Sequence, residues 1–504
     1  MKPPNILVQT NCEKDFISIQ KTLKAVLQPN TYTIYQISKE NLCRQPWMDT
    51  CSLLLSADCR MTSAQRLVLQ KYVNTSDSRI LFHNVVEDDA RRLISFFDEL
   101  ELTKANPDPA LNITRFITKN SEIVAAVAHE KLTAIPKVQL SSLLNELNIH
   151  TSQVTDENGV ARCVAYLFTS NPRSRVEELF QVTAQKNCLT LSEKKIQLHF
   201  VENSNGIATE NIKESELYVV TKNKSNCSFN WRLYQNTLRT KTIGQNLIYA
   251  DVIDSTQNLF TNLNVTKIKT PGLVVYARQQ TNGKGRSGNQ WLSPAGCMMF
   301  SVQVDIPLKT NLGQKLPYVQ HIAVVAFVKS IKERLGYAEL DLNIKWPNDI
   351  YIKKNVKIGG VIVNSSLFNG QFHVVIGLGA NVSNAVPTEC LNSLINEHNT
   401  ANGKALSELC VEDALAGTLN AMERLINLFQ EEGMNAFKKE YYQYWLHSNA
   451  EVTLESRNNE RATVMGLDEF GYLLVKLDDE TELSLQPDGN SFDMMRNMIV
   501  SKNK

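Results

Sequence analysis

Between residues 5 and 100, short apolar runs alternate with segments of helical periodicity. NILVQT, YTIYQIS, CSLLLSAD and RILFHNV read as strands, and DFISIQKTLKAVL, AQRLVLQKYV and DDARRLISFFDEL as helices. This alternation predicts an open, mostly parallel α/β sheet. TKANPDPALN, 103 to 112, reads as a loop, Val138 to Leu147 as a helix, and HFVE and LYVV as strands. Polar KNKSNCS, 222 to 228, reads as a linker, so a first α/β domain is expected over 1–228.

The pattern changes after residue 228. GLVVYARQ, 272 to 279, is a buried-strand run, whereas FSVQVDI, 300 to 306, sets Phe300, Val302 and Val304 against Ser301, Gln303 and Asp305, which predicts one wet face. Val319, Ile322, Ala323, Ala326 and Leu335 recur at helical spacing, with Gly336 as the stop. VIVNSS and FHVVIGLG are joined across Asn369-Gly370, a strong hairpin turn. Leu415, Leu419, Met422, Ile426 and Phe429 stripe a helix that ends at Gly433. Residues 229–450 therefore read as an α+β domain. From 451 to 504, EVTLES, RATVMGLD, GYLLVKLD and TELSLQ are short strands of the kind that close into a small barrel.

Composition narrows the classes. Hydrophobic residues at 43% and charged residues at 21% are those of a globular chain. Lysine plus arginine at 53 against aspartate plus glutamate at 52 leaves +1, so no overall field recruits nucleic acid or an anionic membrane. Neither a membrane span nor a secretory or transit signal is visible, so a cytoplasmic location is expected. Ten cysteines without a C-x-x-C pair and eight histidines without H-x-x-x-H point to reduced thiols and assign no metal ligands.

Candidate chemistry centres on GKGRSGNQW, Gly283 to Trp291, formally G-x-G-x-x-G. A dinucleotide fold would need a helix opening on the third glycine, but NQWLSPAG runs into a second strand. A kinase would add V-A-I-K, H-R-D and D-F-G motifs, none of which is present. A plain glycine-rich hairpin turn stays open at this point. Two further segments lower it: KWPND, 345 to 349, and the lysine and glycine pair of KIGG, 357 to 360.

DSTQ (254–257), QQTNGKGRSGNQW (279–291), KWPNDIY (345–351), KIGGVIVNS (357–365) and GLGANVSN (377–384) together resemble the successive blocks of biotin protein ligases. DEFGYL and QPDGNSFDMMRN resemble the end of the eukaryotic holocarboxylase synthetase type. The family loop usually has arginine where this chain has Lys284, which keeps the charge without the planar fork. The resemblance implies a catalytic domain of the biotin/lipoate ligase type over 229–450, an SH3-like C-terminal barrel over 451–504, and an amidotransferase-like first domain. That first domain is expected to be non-catalytic, because SADCRMT around Cys59 lacks the glycine-flanked elbow of a working amidotransferase.

The resemblance also implies the reaction: the biotin carboxylate attacks the α-phosphate of ATP with Mg²⁺ present, pyrophosphate leaves, and the biotinyl group passes to a lysine of a biotin carboxyl carrier domain. Repulsion between two anions is the barrier, about 4 kcal/mol per pair of unit charges at roughly 4 Å and a surface-like dielectric. Cations therefore matter most, and Lys284, Arg286 and Lys357 are the candidates, with Asp349 to orient or deprotonate the acceptor lysine. Glycines let a charged loop open for ATP and close to exclude water from an acyl-phosphate. Biotin is assigned Ser255, Thr256, Gln279, Gly283, Arg286, Lys357, Gly359 and Gly360. ATP is assigned Lys284, Gly285, Arg286, Gly288, Trp291, Asn348, Asp349 and Asn381. Ser255-Thr256 could instead cap a helix, Asn348-Asp349 could simply build a turn, and Trp291 could be a core residue. A monomer is favoured, nucleic acid and membrane are not expected as partners, and the resemblance leaves room for a mitochondrial pool. Rival readings are a lipoate-type ligase and a catalytically inactive scaffold.

Overall fold

The computed structural model of the chain describes residues 5–27, 32–39, 41–44, 51–57, 60–74, 78–105, 113–118, 123–151, 164–185, 188–192, 197–204, 207, 216–222, 224–225, 227–262, 267–285, 290–384, 389–487, 490–493 and 498–501. Its residues group into two compact units, 1–161 and 162–504.

In the first unit, apolar runs and amphipathic helices alternate as expected: β1 (Asn5–Gln9), α1 (Glu13–Lys24), β2 (Thr33–Ile37), α2 (Asn41–Arg44), β3 (Cys51–Ser56), α3 (Ser63–Val73), β4 (Arg79–Phe82) and α4 (Glu87–Glu99). β5 (Thr103–Lys104), β6 (Ile113–Ile117), β7 (Ile123–Ala128) and α5 (Lys137–Glu146) complete it. The sheet order is β2-β1-β3-β4-β7-β6-β5, parallel from β2 through β7 and antiparallel at β6 and β5. Leu23 of α1 and Leu143 of α5 pack on one face, Leu69 of α3 and Phe97 of α4 on the other. The loop expected at 103 to 112 begins instead with the short edge strand β5, and Cys59 lies outside the described residues.

The second unit opens with β8 (Ala165–Thr169), α6 (Val176–Leu179), β9 (Thr183–Gln185), β10 (Cys188–Ser192), β11 (Gln197–Val201), β12 (Glu216–Val220) and α7 (Trp231–Thr237). Then come β13 (Asn246–Ile253), α8 (Thr256–Asn262), β14 (Val274–Lys284), β15 (Gln290–Ser293), β16 (Cys297–Pro307) and α9 (Tyr318–Lys332). The sheet closes with β17 (Leu342–Lys345), β18 (Asp349–Ile352), β19 (Val356–Phe368) and β20 (Gln371–Asn381). Its order is β17-β18-β19-β20-β16-β14-β13-β8-β12-β11-β10-β9, with β15 paired to β14. The boundary expected at 228/229 therefore falls inside this unit. β8 pairs antiparallel with β13 from Asn246↔Thr169 to Ala250↔Ala165, and so covers an apolar edge that would otherwise stay open.

Two layers of helix cover the sheet. α9, α10 (Leu391–Asn402) and α11 (Val411–Glu432) share one core with the Phe300 and Val302 face, and α8 packs Leu259 and Phe260 against Val275 and Val375 on the other. That second layer corrects the wet face expected for FSVQVDI: Ser301 and Gln303 are fully buried, because α8 lies over them. Leu335 is also corrected, since α9 ends at Lys332 and Leu335 is 98% exposed. The hairpin turn is realised, with Asn369 and Gly370 at φ of +50° and +73° between β19 and β20. Gly433, at φ +80°, stops α11 where the sequence places the stop, and α12 (Met434–Tyr442) follows. β21 (Glu451–Leu454), β22 (Glu460–Leu467), β23 (Leu473–Leu477), β24 (Glu482–Leu485), β25 (Asn490–Asp493) and β26 (Met498–Ser501) form a six-stranded sheet of order β24-β23-β22-β21-β26-β25, antiparallel except for β21 with β26.

Candidate active site

Parallel β13 and β14 end on the same side of the sheet, and β13 delivers the chain directly into α8. The first residues of α8 are therefore held beside the end of β14. Thr256 N donates to Gln280 Oε1 at 2.7 Å, Gln280 Nε2 donates to Ser293 Oγ at 2.9 Å, and Ser301 Oγ donates to Thr256 Oγ1 at 2.9 Å. At the next residue, Gln257 Oε1 accepts from Asn364 Nδ2 at 3.2 Å. Two buried donors in this cluster, Ser255 Oγ and Gln257 Nε2, have no protein partner. The helix-capping alternative for Ser255 is not realised, since its hydroxyl makes no such bond. A patch of neutral, buried, partly unsatisfied donors suits a neutral polar ligand that supplies acceptors.

The parity of β14 decides which glutamine takes part. Gln280 is buried with Thr256, while its neighbour Gln279 is only half-buried and pairs in register with Val252 of β13. Assignment of Gln279 to the site is thus displaced by one residue. Gln257, Gln280, Ser293, Ser301 and Asn364 were missed, and the readable signal was a line of polar residues inside otherwise apolar strands.

The described flanks of the glycine-rich segment pair as antiparallel strands. β14 leaves β16 after Ala277 and pairs with β15 through Gly283↔Trp291 and Lys284↔Gln290. A Cβ on Gly283 would overlap the Trp291 carbonyl oxygen, so close strand approach requires glycine here. Lys284 is exposed and Gly285 half-buried, whereas Arg286 and Gly288 lie outside the described residues. Trp291 is half-buried. Its indole lies against Gly379, where a Cβ would stand 2.9 Å from Nε1, and Lys357 Nζ is 5.7 Å from its ring centroid.

KWPND builds a tight turn between β17 and β18, with Lys345 and Asp349 paired across it. Asn348 is buried, its side-chain amide donates to the Val361 carbonyl, and its own carbonyl accepts from Val361 N at 3.0 Å. Asp349 Oδ1 is 2.6 Å from Lys357 Nζ, in a pair whose side chains are 21% and 39% exposed. Gly360 is paired with Asp349, and a Cβ there would meet Asp349 Oδ1 at 3.2 Å; Gly359 is buried against Gly379. Asn381 follows Ala380, the residue paired with Gly359, and it accepts from Cys297 Sγ at 3.3 Å and donates to Glu389 O at 3.3 Å. Of the three cations assigned from the sequence, the two described are thus an exposed lysine and a lysine held by a carboxylate. Among the described residues no group of three His, Cys, Asp or Glu side chains could hold a metal. A cleft of about 1050 Å³ adjoins the polar cluster, and its lining includes Gln257, Lys284, Gly285 and Asn364 together with Tyr472 and Gln486 of the C-terminal region.

Comparison with known proteins gives this arrangement a relationship. The profile of the Biotin/lipoate A/B protein ligase family matches residues 249–381, and that of the Biotin protein ligase C terminal domain matches 447–495. The second biotin–protein ligase of Arabidopsis thaliana is 34% identical over 283 residues, 55% of this chain and 83% of that protein. This chain belongs to the biotin protein ligase family. The human biotin–protein ligase is 39% identical over 312 residues, 62% of this chain and 43% of the human protein. The fission yeast biotin–protein ligase is 37% identical over 300 residues, 55% of this chain and 47% of its own length. The chain thus spans less than half the length of the human and yeast relatives it matches. Within the family match lie the polar cluster, the glycine-rich segment, the KWPND turn and the Asp349–Lys357 pair.

Proposed function

We propose that this member of the biotin protein ligase family activates biotin with ATP as biotinyl-5′-AMP, releasing pyrophosphate, and then transfers biotin to one lysine of a biotin carboxyl carrier domain. The observation that carries the reading is the adjacency of two chemistries. Buried neutral donors at Ser255 and Gln257 suit an uncharged ureido ring, and Lys284 with the Asp349–Lys357 pair suits anions. Lys357, paired with Asp349 in the free protein, is positioned to exchange that partner for a phosphate or carboxylate oxygen. Asp349 is then freed to orient the acceptor ammonium and draw off its proton.

Mg²⁺ belongs to this proposal as an ion that arrives on the triphosphate and keeps much of its water. Asp349 and Asn348 offer it oxygen ligands, and it would supply charge neutralisation there. Arg286 keeps its assignment to both substrates by family resemblance alone. Among the described residues no helix is long and apolar enough to cross a membrane. A cytoplasmic location belongs to this reading, and free thiols at Cys12, Cys43, Cys227, Cys297, Cys390 and Cys410 fit it. The six-stranded C-terminal sheet is read as an SH3-like barrel, and the first unit as a non-catalytic amidotransferase-like domain.

The C-terminal match favours biotin over lipoate, because its profile is that of biotin protein ligases. Biotin-dependent exchange of labelled pyrophosphate into ATP tests the first half-reaction. Exchange with biotin and none with lipoate is expected; exchange with neither acid contradicts the proposal.

A further inference from the structure

Lys345 and Asp349 are paired across the turn that carries Asn348 and Asp349, so only Trp346, Pro347 and Asn348 lie between the two strands. A turn this short places its side chains accurately only if its backbone is fixed on both flanks. The Asn348 flank is fixed by its two hydrogen bonds with Val361. The Trp346 flank is fixed from a distant part of the chain. The segment after α12 runs parallel to β17, with Ile344 N donating to Tyr444 O at 2.7 Å and Leu446 N donating to Ile344 O at 3.0 Å. Just past β17, Trp346 N is met by a side chain: it donates to His447 Nε2 at 3.1 Å.

We propose that His447 is a positioning residue of the ligase reaction, holding the KWPND turn through Trp346 N–H so that Asn348 and Asp349 stand where the chemistry needs them; this rests on the ligase reading above. The ring is built for that task. It is 2% exposed and lies edge-on to Trp445, with ring centroids 5.6 Å apart at 69°. Trp346 is itself 1% exposed. An acceptor at Nε2 requires the neutral ring, and burial, with Lys345 adding to it, pushes the His447 pKa down to about 3. His447 is also the first residue of the matched C-terminal domain, so the contact ties that domain's entry to the catalytic turn. Pro347 offers no N–H, which leaves Trp346 as the last backbone donor before Asn348.

Three variants separate the roles. His447→Leu removes the acceptor; His447→Gln can place an oxygen near the Nε2 position; His447→Asn is polar but too short to reach it. The expected result is a kcat for biotin-dependent pyrophosphate release that falls roughly tenfold or more in the Leu and Asn variants, because small misplacements of reacting groups are costly. The biotin KM should stay within about twofold, since the interaction lost serves the transition state rather than ground-state binding. Gln should recover most of the rate. Hydrogen exchange of the peptide containing Trp346 should rise in Leu and Asn and stay protected in Gln. If Leu does not fold, the contrast between Gln and Asn decides. Equal rates and equal exchange in Gln and Asn would overturn the proposal, as would a folded Leu variant with wild-type kcat. Should wild-type protein release no pyrophosphate, the ligase reading falls and the positioning role with it; protection of Trp346 would then show only a structural contact.

Discussion

Ser255→Ala should stabilise the second unit and weaken biotin binding at once. Ser255 is 1% exposed and its hydroxyl has no protein partner, so the free protein carries the cost of a desolvated donor. That cost is about 1–3 kcal/mol, and alanine keeps the Cβ while removing it. Thermal unfolding should therefore shift upward, by less than the roughly 2–4 °C per kcal/mol found for domains of 150–250 residues, because this unit is larger. On the proposed reading the same hydroxyl would donate to the ureido oxygen in the complex. Its loss removes about 0.5–1.5 kcal/mol of net hydrogen bonding, or a rise of roughly 2- to 10-fold in the biotin Kd by titration calorimetry. The signs are opposed, which a purely structural serine would not produce. A lower melting temperature with an unchanged Kd would refute the reasoning, because it would mean that the hydroxyl bonds inside the protein and does not face the substrate.

Three other substitutions probe separate parts of the account. Gly377→Ala would drive a Cβ into the Gln257 amide and to 3.0 Å from its Cγ; the shift should cost about 1–3 kcal/mol in denaturant unfolding and raise the biotin KM while sparing that of ATP. Lys357→Ala should change stability by less than about 1 kcal/mol, since the Asp349 pair is partly exposed, yet slow pyrophosphate release by roughly 10²- to 10³-fold in a coupled assay. His447, ordinarily near 6.5 and held to about 3 by burial and Lys345, binds fewer protons folded than unfolded. Its contribution is therefore present above pH 6.5 and is lost as pH falls toward 3, by up to about 1.4 kcal/mol per unit. Urea titrations of the wild type and His447→Gln between pH 7 and 5 should show a shallower loss in the variant.

Much of the fold is legible where local chemistry is sufficient to decide it. Asn369-Gly370 supplies the two positive φ values of a hairpin, Gly433 the one at the end of α11, and the alternation in the first unit gives its parallel sheet. The failures share a physical origin in long-range pairing. Polar Ser301 and Gln303 look solvated until α8 is laid over them, and the linker ahead of β13 looks like a boundary until β8 is seen to pair across it. The pair Gln279-Gln280 makes the same point at the site. Adjacent strand residues face opposite ways, and only the register against β13 and β15 shows that Gln280 reaches Thr256. KWPND was legible as a motif, whereas the side chain that holds it lies 101 positions away in sequence from Trp346.

Mass spectrometry of a biotin carboxyl carrier domain, incubated with the whole chain, ATP, Mg²⁺ and biotin, tests the central claim most directly, with lipoate replacing biotin in a parallel reaction. The account predicts one biotinyl addition on one lysine and none from lipoate. An unmodified carrier domain recovered from folded protein would contradict it and favour a catalytically inactive scaffold.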